Sequence, residues 1–256
     1  MQSARAVNFI RRALRIARSE IMAVSALFVV GAGIAIFADL AGDMSEGDGQ
    51  AFDQAVLSAM RPHADPSDAL GPWWLEEAAA DLTSLGGIAV LSLFATIVVI
   101  FLFLQRKRLS ALLLLVGLAG GVALSEGLKS VFERDRPPRI YQAVDTINAS
   151  FPSGHALLSA VFYLSIGVML TRAFPRRRFK AYVLAVAMVL TLLVGLTRIY
   201  LGAHWTTDVL AGWSVGAAWA MTLWLVAYAV QRRQAVHSGG LHDEPAPDTP
   251  PAVIGE

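Results

Sequence analysis

The chain has 256 residues, of which 55% are hydrophobic and 16% charged, with a formal net charge of +1 at pH 7. Soluble globular chains carry roughly 25% charged residues, so this composition excludes a disordered protein and argues against an ordinary soluble domain. The near-zero net charge leaves no basic field to hold nucleic acid, and the absence of cysteine excludes disulfides, thiolate metal sites and thiol catalysis.

Six apolar stretches are about long enough to cross a ~30 Å hydrocarbon core at 1.5 Å per residue. They run roughly Ile21–Leu40, Gly86–Leu104, Leu109–Leu128, Ala156–Thr171, Ala181–Thr197 and Val209–Val230. They lack strand-like alternation and are too long for strands, which predicts helices. The fourth is the shortest and is expected to begin in the polar residues before it. The first follows Arg11, Arg12, Arg15 and Arg18, yet its apolar core exceeds the usual length of a signal peptide and no clear cleavage site follows. It is read as an uncleaved helix.

Counting Lys and Arg between the spans orients them, because cytoplasmic loops retain positive charge. The segment before span one, the links between spans two and three and between four and five, and the segment after six hold 15 of the 21 basic residues. The segment Gly42–Leu85 instead carries nine acids and the single base Arg61. Both termini are therefore expected in the cytoplasm, with Gly42–Leu85, Lys129–His155 and Arg198–Asp208 facing outward. The expected fold is all-α: a six-transmembrane-helix bundle over 21–231 with a short helical cap in the first outer loop (42–85). A basic cytoplasmic N-terminus (1–20) precedes it, and a disordered cytoplasmic tail (232–256) follows, in which His237 and His242 are solvated.

Within the first outer loop, Phe52, Val56, Leu57 and Met60 fall at helical spacing, which predicts a short surface helix. Trp73 and Trp74 suit interface anchors. Gly117 and Gly121 form a G-x-x-x-G pair expected to let helices pack closely.

Six basic residues lie on the outer side: Arg61, Lys129, Arg134, Arg136, Arg139 and Arg198. Five of them sit in the two short loops, against the charge bias that sets topology. Arg134 and Arg139 are assigned to anionic lipid headgroups; Lys129, Arg136 and Arg198 remain. In the same loops, Phe151-Pro152-Ser153-Gly154-His155 opens the fourth span. Ser153 is placed at the N-cap, and the N–H groups of Ser153, Gly154 and His155 lie at the positive helix end, where a phosphoryl group binds well. His204 is followed four residues later by Asp208, on the same face of a helix. A carboxylate there holds one imidazole nitrogen protonated and leaves the other free to attack. Taken alone, the pair reads better as an interfacial histidine and a helix cap. Three cations, a helix start and two histidines on one side of the membrane make a site for a phosphate ester.

The ordered set Lys129-x6-Arg136-Pro137, Pro152-Ser153-Gly154-His155 and Arg198-x5-His204-x3-Asp208 resembles the three-part signature of the type-2 phosphatidic acid phosphatase superfamily. That superfamily includes integral-membrane lipid phosphate phosphatases and, more distantly, soluble acid phosphatases and vanadium haloperoxidases. The likeness extends in looser form from about Ile21 to Val230, through an Asp53-centred stretch and Leu82-Thr83-Ser84-Leu85-Gly86. Thr197 stands where the family usually has Ser, and the hydroxyl is kept.

The resemblance implies that Lys129, Arg136 and Arg198, with the Ser153 and Gly154 amides, clamp the phosphoryl oxygens. His204, oriented by Asp208, attacks phosphorus to give a phosphohistidine. His155 protonates the departing oxygen and then activates the water that releases phosphate. It implies no cofactor and no required metal, and a membrane lipid as the partner. Glu126, one turn before Lys129, either orients that lysine or is an interfacial carboxylate with no role; Tyr200 and Trp205 are expected to anchor helix ends. A site at headgroup depth favours a lipid phosphate or polyprenyl diphosphate such as phosphatidic acid, phosphatidylglycerol phosphate or undecaprenyl diphosphate. The compact body resembles bacterial members, which places it in the cell membrane with a periplasmic or extracellular site. Two other readings stay open at this point: a lipid phosphotransferase using the same site, and a non-catalytic membrane protein of the same fold.

Overall fold

A computed structural model describes residues 2–47, 49–61, 65, 67–144, 146 and 148–240, with side chains from Glu20 to Gln234. All regular structure among these residues is helical: α1 (Gln2–Glu46), α2 (Gly49–Ala59), α3 (Trp73–Ser84), α4 (Ile88–Leu104), α5 (Arg108–Phe132), α6 (Gly154–Thr171), α7 (Arg177–Tyr200) and α8 (Thr206–Gly240), with a 3₁₀ turn at Arg139–Tyr141. Five helices are long and apolar enough to cross a membrane, namely Glu20–Glu46 of α1, α5, α6, α7 and Thr206–Gln234 of α8. The pair α3 and α4, bent by 47°, passes the same test when taken as one, which makes a sixth candidate.

Three boundaries differ from the sequence expectation. The second span is not one straight helix: α4 has 17 residues and qualifies as a span only together with α3, across the bend, whereas α6 starts in the polar residues at Gly154 as expected and, at 18 residues, is the shortest single-helix span. Gly86 explains the break before α4. A Cβ there would overlap Val194 and come within 3.2 Å of the His155 carbonyl, so the chain bends where it passes the start of α6. Second, α1 runs unbroken through the basic segment and past Leu40 to Glu46, because no proline interrupts it. Third, α8 continues through Arg233 to Gly240, so the first part of the expected tail, including His237, is helical. The remainder, 241–256 with His242, lies outside the described residues.

α6 forms the axis of the bundle, packed among α5, α7 and α8, and it is buried from Ala156 to Tyr163. Gly117 and Gly121 of α5 face Val161, Leu157 and Leu158 of α6 and Leu223 of α8, the close packing expected of that pair. The outer surfaces carry exposed Phe28, Leu93, Ile97, Leu104, Met188 and Leu196. Apolar side chains that face outward all round a bundle need lipid as their solvent.

The three segments expected on the outer side meet at one end of the bundle. Arg61 donates to the Tyr141 carbonyl (2.9 Å), Tyr200 Oη to the Leu70 carbonyl (2.9 Å), Ala143 N–H to the Leu201 carbonyl (3.0 Å) and Trp205 Nε1 to the Asp135 carbonyl (2.9 Å). At the other end Arg232 pairs with Glu20 (3.1 Å) and Arg172 donates to Gln231 (3.2 Å). Phe151 wedges between Phe37 of α1 and Phe132 of α5, with ring centroids 5.6 and 5.1 Å away. This cluster fixes the approach to α6.

Candidate active site

Each part of the site sits where a helix stops or starts. α5 ends at Phe132, and the next residue, Glu133, in a left-handed conformation (φ 43°) and with its N–H donating to the Lys129 carbonyl (3.0 Å), turns the chain after the lysine. α6 starts at Gly154, so the amides of its first turn lack partners within the helix. α7 carries Arg198 in its last turn and is followed by Gly202 (φ 64°). A Cβ on Gly202 would overlap the Tyr141 carbonyl, so only glycine allows the sharp turn that delivers His204 two residues later.

These ends enclose a cavity of about 210 Å³ lined by Lys129, Arg136, Gly154, His155, Arg198 and His204, with Ser125, Glu126 and Asn148 beside them. The apolar side chains of Ile88, Val122 and Leu158 line the same space. Six of the eight residues singled out from sequence therefore share one cavity.

Asp208, the seventh, lies directly behind His204 and is fully buried. Its Oδ2 is 3.4 Å from His204 Nδ1. It also accepts the Ser150 hydroxyl and, at 2.9 Å, the Trp205 amide. The two residues do not share a helical face, as their spacing suggested: His204 precedes α8, and Asp208 is in its first turn, reaching back to the preceding amide as in a capping box. On its other side the ring presents Nε2 to Arg136 Nη1 at 3.2 Å. A guanidinium only donates, so Nε2 keeps its lone pair and Nδ1 carries the proton toward Asp208. Burial, reinforced by the Arg136 and Arg198 cations and opposed by Asp208, pushes the His204 pKa down from 6.5 to about 4.

Ser153, the eighth, departs from expectation. It occupies the N-cap position without a side-chain capping bond, and its amide donates to the Asp208 carbonyl at 2.9 Å. That amide is therefore spent on packing α6 against α8, which leaves Gly154 and His155, both lining the cavity, to offer the first-turn amides. Arg136 is held by the Asn148 and Ala203 carbonyls at 2.6 and 2.7 Å, and Arg198 reaches Thr83 at 3.5 Å. Lys129 is paired with Glu126 at 2.9 Å, as its placement one turn earlier suggested. Thr197 turns its hydroxyl to the Val194 carbonyl (2.7 Å). Tyr200 and Trp205 bond to loop carbonyls and act as anchors.

Arg134 overturns its assignment to lipid headgroups. Its guanidinium binds Asp208 (2.5 Å), Asp53 on α2 (2.8 Å) and the Thr207 hydroxyl (2.7 Å), and Trp205 stacks on it with the guanidinium carbon 5.8 Å from the ring centroid. With both carboxylates buried and within ion-pair distance, the guanidinium is committed to the protein interior and not to headgroups. Asp53 in turn accepts the Thr207 amide at 2.9 Å. Ser150 and this Asp53–Arg134–Thr207 network carry no spacing signal; the hints to Asp53 are its place beside the apolar positions Phe52, Val56 and Leu57 and the looser likeness of the stretch around it. Arg139 is exposed and, among the described residues, makes no ion pair of this kind.

The PAP2 superfamily profile matches residues 110–232. The chain is 33% identical over 171 residues to phosphatidylglycerophosphatase B of Bacillus subtilis (strain 168), covering 65% of this chain and 79% of that protein. It is 28% identical over 123 residues to an undecaprenyl-diphosphatase of Sulfolobus acidocaldarius, covering 46% of this chain and 55% of the relative. Among solved structures, the transmembrane PAP2-type phosphatidylglycerolphosphate phosphatase from Bacillus subtilis superposes with a TM-score of 0.73 at 29% identity, over 80% of this chain and 98% of that one. The chain belongs to the PAP2 superfamily. It is a multi-pass membrane protein and a phosphate-ester hydrolase.

Proposed function

We propose that the protein hydrolyses a lipid phosphate or polyprenyl diphosphate on the outer face of the cell membrane, through a phosphohistidine at His204. The observation that carries this reading is a cavity that holds three cations, the open end of a helix and two histidines, one of them backed by a buried carboxylate. Lys129, Arg136 and Arg198 neutralise the phosphoryl oxygens, and the Gly154 and His155 amides donate to them. The His204 Nε2 lone pair attacks phosphorus in line, the bond to the ester or anhydride oxygen breaks, and His155 supplies the proton that oxygen takes. Water then gives a proton to His155 and attacks phosphorus; the P–N bond breaks, its electron pair returns to Nε2, and inorganic phosphate leaves. With three cations supplying the charge, the proposed steps use no metal ion.

Two features support a lipid substrate. Ile88, Val122 and Leu158 line the cavity next to the cations, so a phosphate and the adjoining hydrocarbon find matched surroundings. The relatives named above act on phosphatidylglycerophosphate and undecaprenyl diphosphate. The outer-face placement rests on the Lys and Arg distribution, which leaves the opposite end of the bundle rich in cations.

Detergent-purified protein incubated with phosphatidylglycerol phosphate, phosphatidic acid or undecaprenyl diphosphate in EDTA should release inorganic phosphate, and His204→Ala should abolish the release. Transfer to a second lipid without release would instead identify a phosphotransferase, and no turnover of any of the three would refute the hydrolase.

A further inference from the structure

Ser125 lies on α5 four residues before Lys129, on the same helical face, and is 2% exposed. Ser125 lines the cavity, and its buried hydroxyl has no hydrogen-bond partner among the described residues. Other helical hydroxyls here behave differently. Ser130, Ser159, Ser214 and Thr191 each turn back to a carbonyl of their own helix, at 2.8, 3.0, 2.8 and 2.9 Å. Ser125 forgoes that bond and points across to the start of α6. An ideal Cβ on Gly154 would lie 3.0 Å from Ser125 Oγ and 3.5 Å from Lys129 Nζ, so hydroxyl, ammonium and helix end converge on one point. A second buried donor on the cavity, Arg198 Nε, is also without a partner. Buried polar groups left unpaired cost free energy, and two such donors around a cationic cavity call for an acceptor-rich ligand.

We infer that Ser125 is a further phosphate ligand, donating its hydroxyl hydrogen to a phosphoryl oxygen held between Lys129 Nζ and the Gly154 amide. The inference rests on the proposed hydrolase reading. A neutral hydroxyl adds no charge to a site that already has three cations; it fixes where one oxygen sits, and thereby the line of attack from His204.

The test separates binding from turnover. Orthovanadate, a phosphate mimic, is titrated calorimetrically into full-length detergent-purified protein, and phosphatidylglycerol phosphate hydrolysis is followed in parallel. Ser125→Ala should weaken orthovanadate binding and lower kcat/KM by about 10-fold each, the size of one hydrogen bond to a charged group, with an unchanged melting temperature. Ser130→Ala, on the same helix with its hydroxyl on Gly127, should leave both values unchanged. If Ser125→Ala protein does not fold, Ser125→Cys, similar in size but a weak donor, should show the same losses. Orthovanadate affinity within two-fold of the parent, or losses that track a lowered melting temperature, would overturn the assignment. Failure of the unsubstituted protein to turn over any lipid phosphate would count against the hydrolase reading instead, leaving the orthovanadate arm to decide Ser125.

Discussion

Arg134 and Asp208 form a buried ion pair, Nη1 to Oδ1 at 2.5 Å, and the second arm of the same guanidinium holds Asp53 of α2 at 2.8 Å. The carboxylate behind His204 is thereby tied to α2 through Asp53, 154 residues earlier in sequence than Thr207, which shares the network. Asp53→Asn removes one of the two charges that balance Arg134, and the guanidinium then draws harder on Asp208. Breaking a buried pair costs about 3–5 kcal/mol. The expected outcome is a clear drop in melting temperature in detergent together with a fall in kcat of roughly 10-fold or more. Unchanged melting and kcat would show that α2 and the dyad are uncoupled.

His204 must be neutral to offer Nε2 to phosphorus. Burial sets its pKa at about 4, so the acid limb of kcat/KM should fall near there and not near 6.5. The neighbours fix the direction of further shifts. Arg136→Gln removes a cation that disfavours imidazolium, which raises the pKa and moves the limb to higher pH. Asp208→Asn removes the opposing carboxylate and moves it to lower pH, along with a lower maximal rate. Measuring kcat/KM against pH for the three proteins checks both signs; a limb at 6.5 in the parent would contradict the buried-base account.

Gly202→Ala should cost both stability and activity. The left-handed conformation disfavours any Cβ by about 1–2 kcal/mol, and the Tyr141 carbonyl occupies the space the methyl would need. Relief requires shifting the segment that carries His204, so kcat/KM should fall at least 10-fold. Parallel melting and kinetic measurements test this, and parent-like values in both would refute it.

Glu126→Gln should have a small effect. The Lys129 pair is 2.9 Å long, but the glutamate side chain is half exposed, and such pairs are worth about 0–1 kcal/mol. A change in KM of no more than about five-fold is expected, with kcat preserved. A collapse of kcat would give Glu126 a direct part in the reaction.

The sequence made the spans legible because lipid imposes length and apolarity on them, and the three signature segments legible because the helix start, the cations and the histidines are local patterns. Spacing could not reveal the partners of Arg134, since Asp53 and Asp208 reach it from separate helices and only the folded loops bring them together. The Ser153 amide is hidden from sequence for a related reason: its carbonyl partner on Asp208 belongs to α8, which packs against α6 across the bundle. The bent second span was hidden by the continuous apolar run after Gly86, whose close approach to Val194 and His155 is a tertiary contact.

The most direct test of the central claim is to find where the phosphoryl group resides during turnover. Protein carrying His155→Ala, mixed with radiolabelled lipid phosphate and quenched in alkali, should retain an acid-labile label that peptide mapping places on His204, and His204→Ala protein should retain none. Label on any other residue, or turnover that persists without His204, would contradict the account.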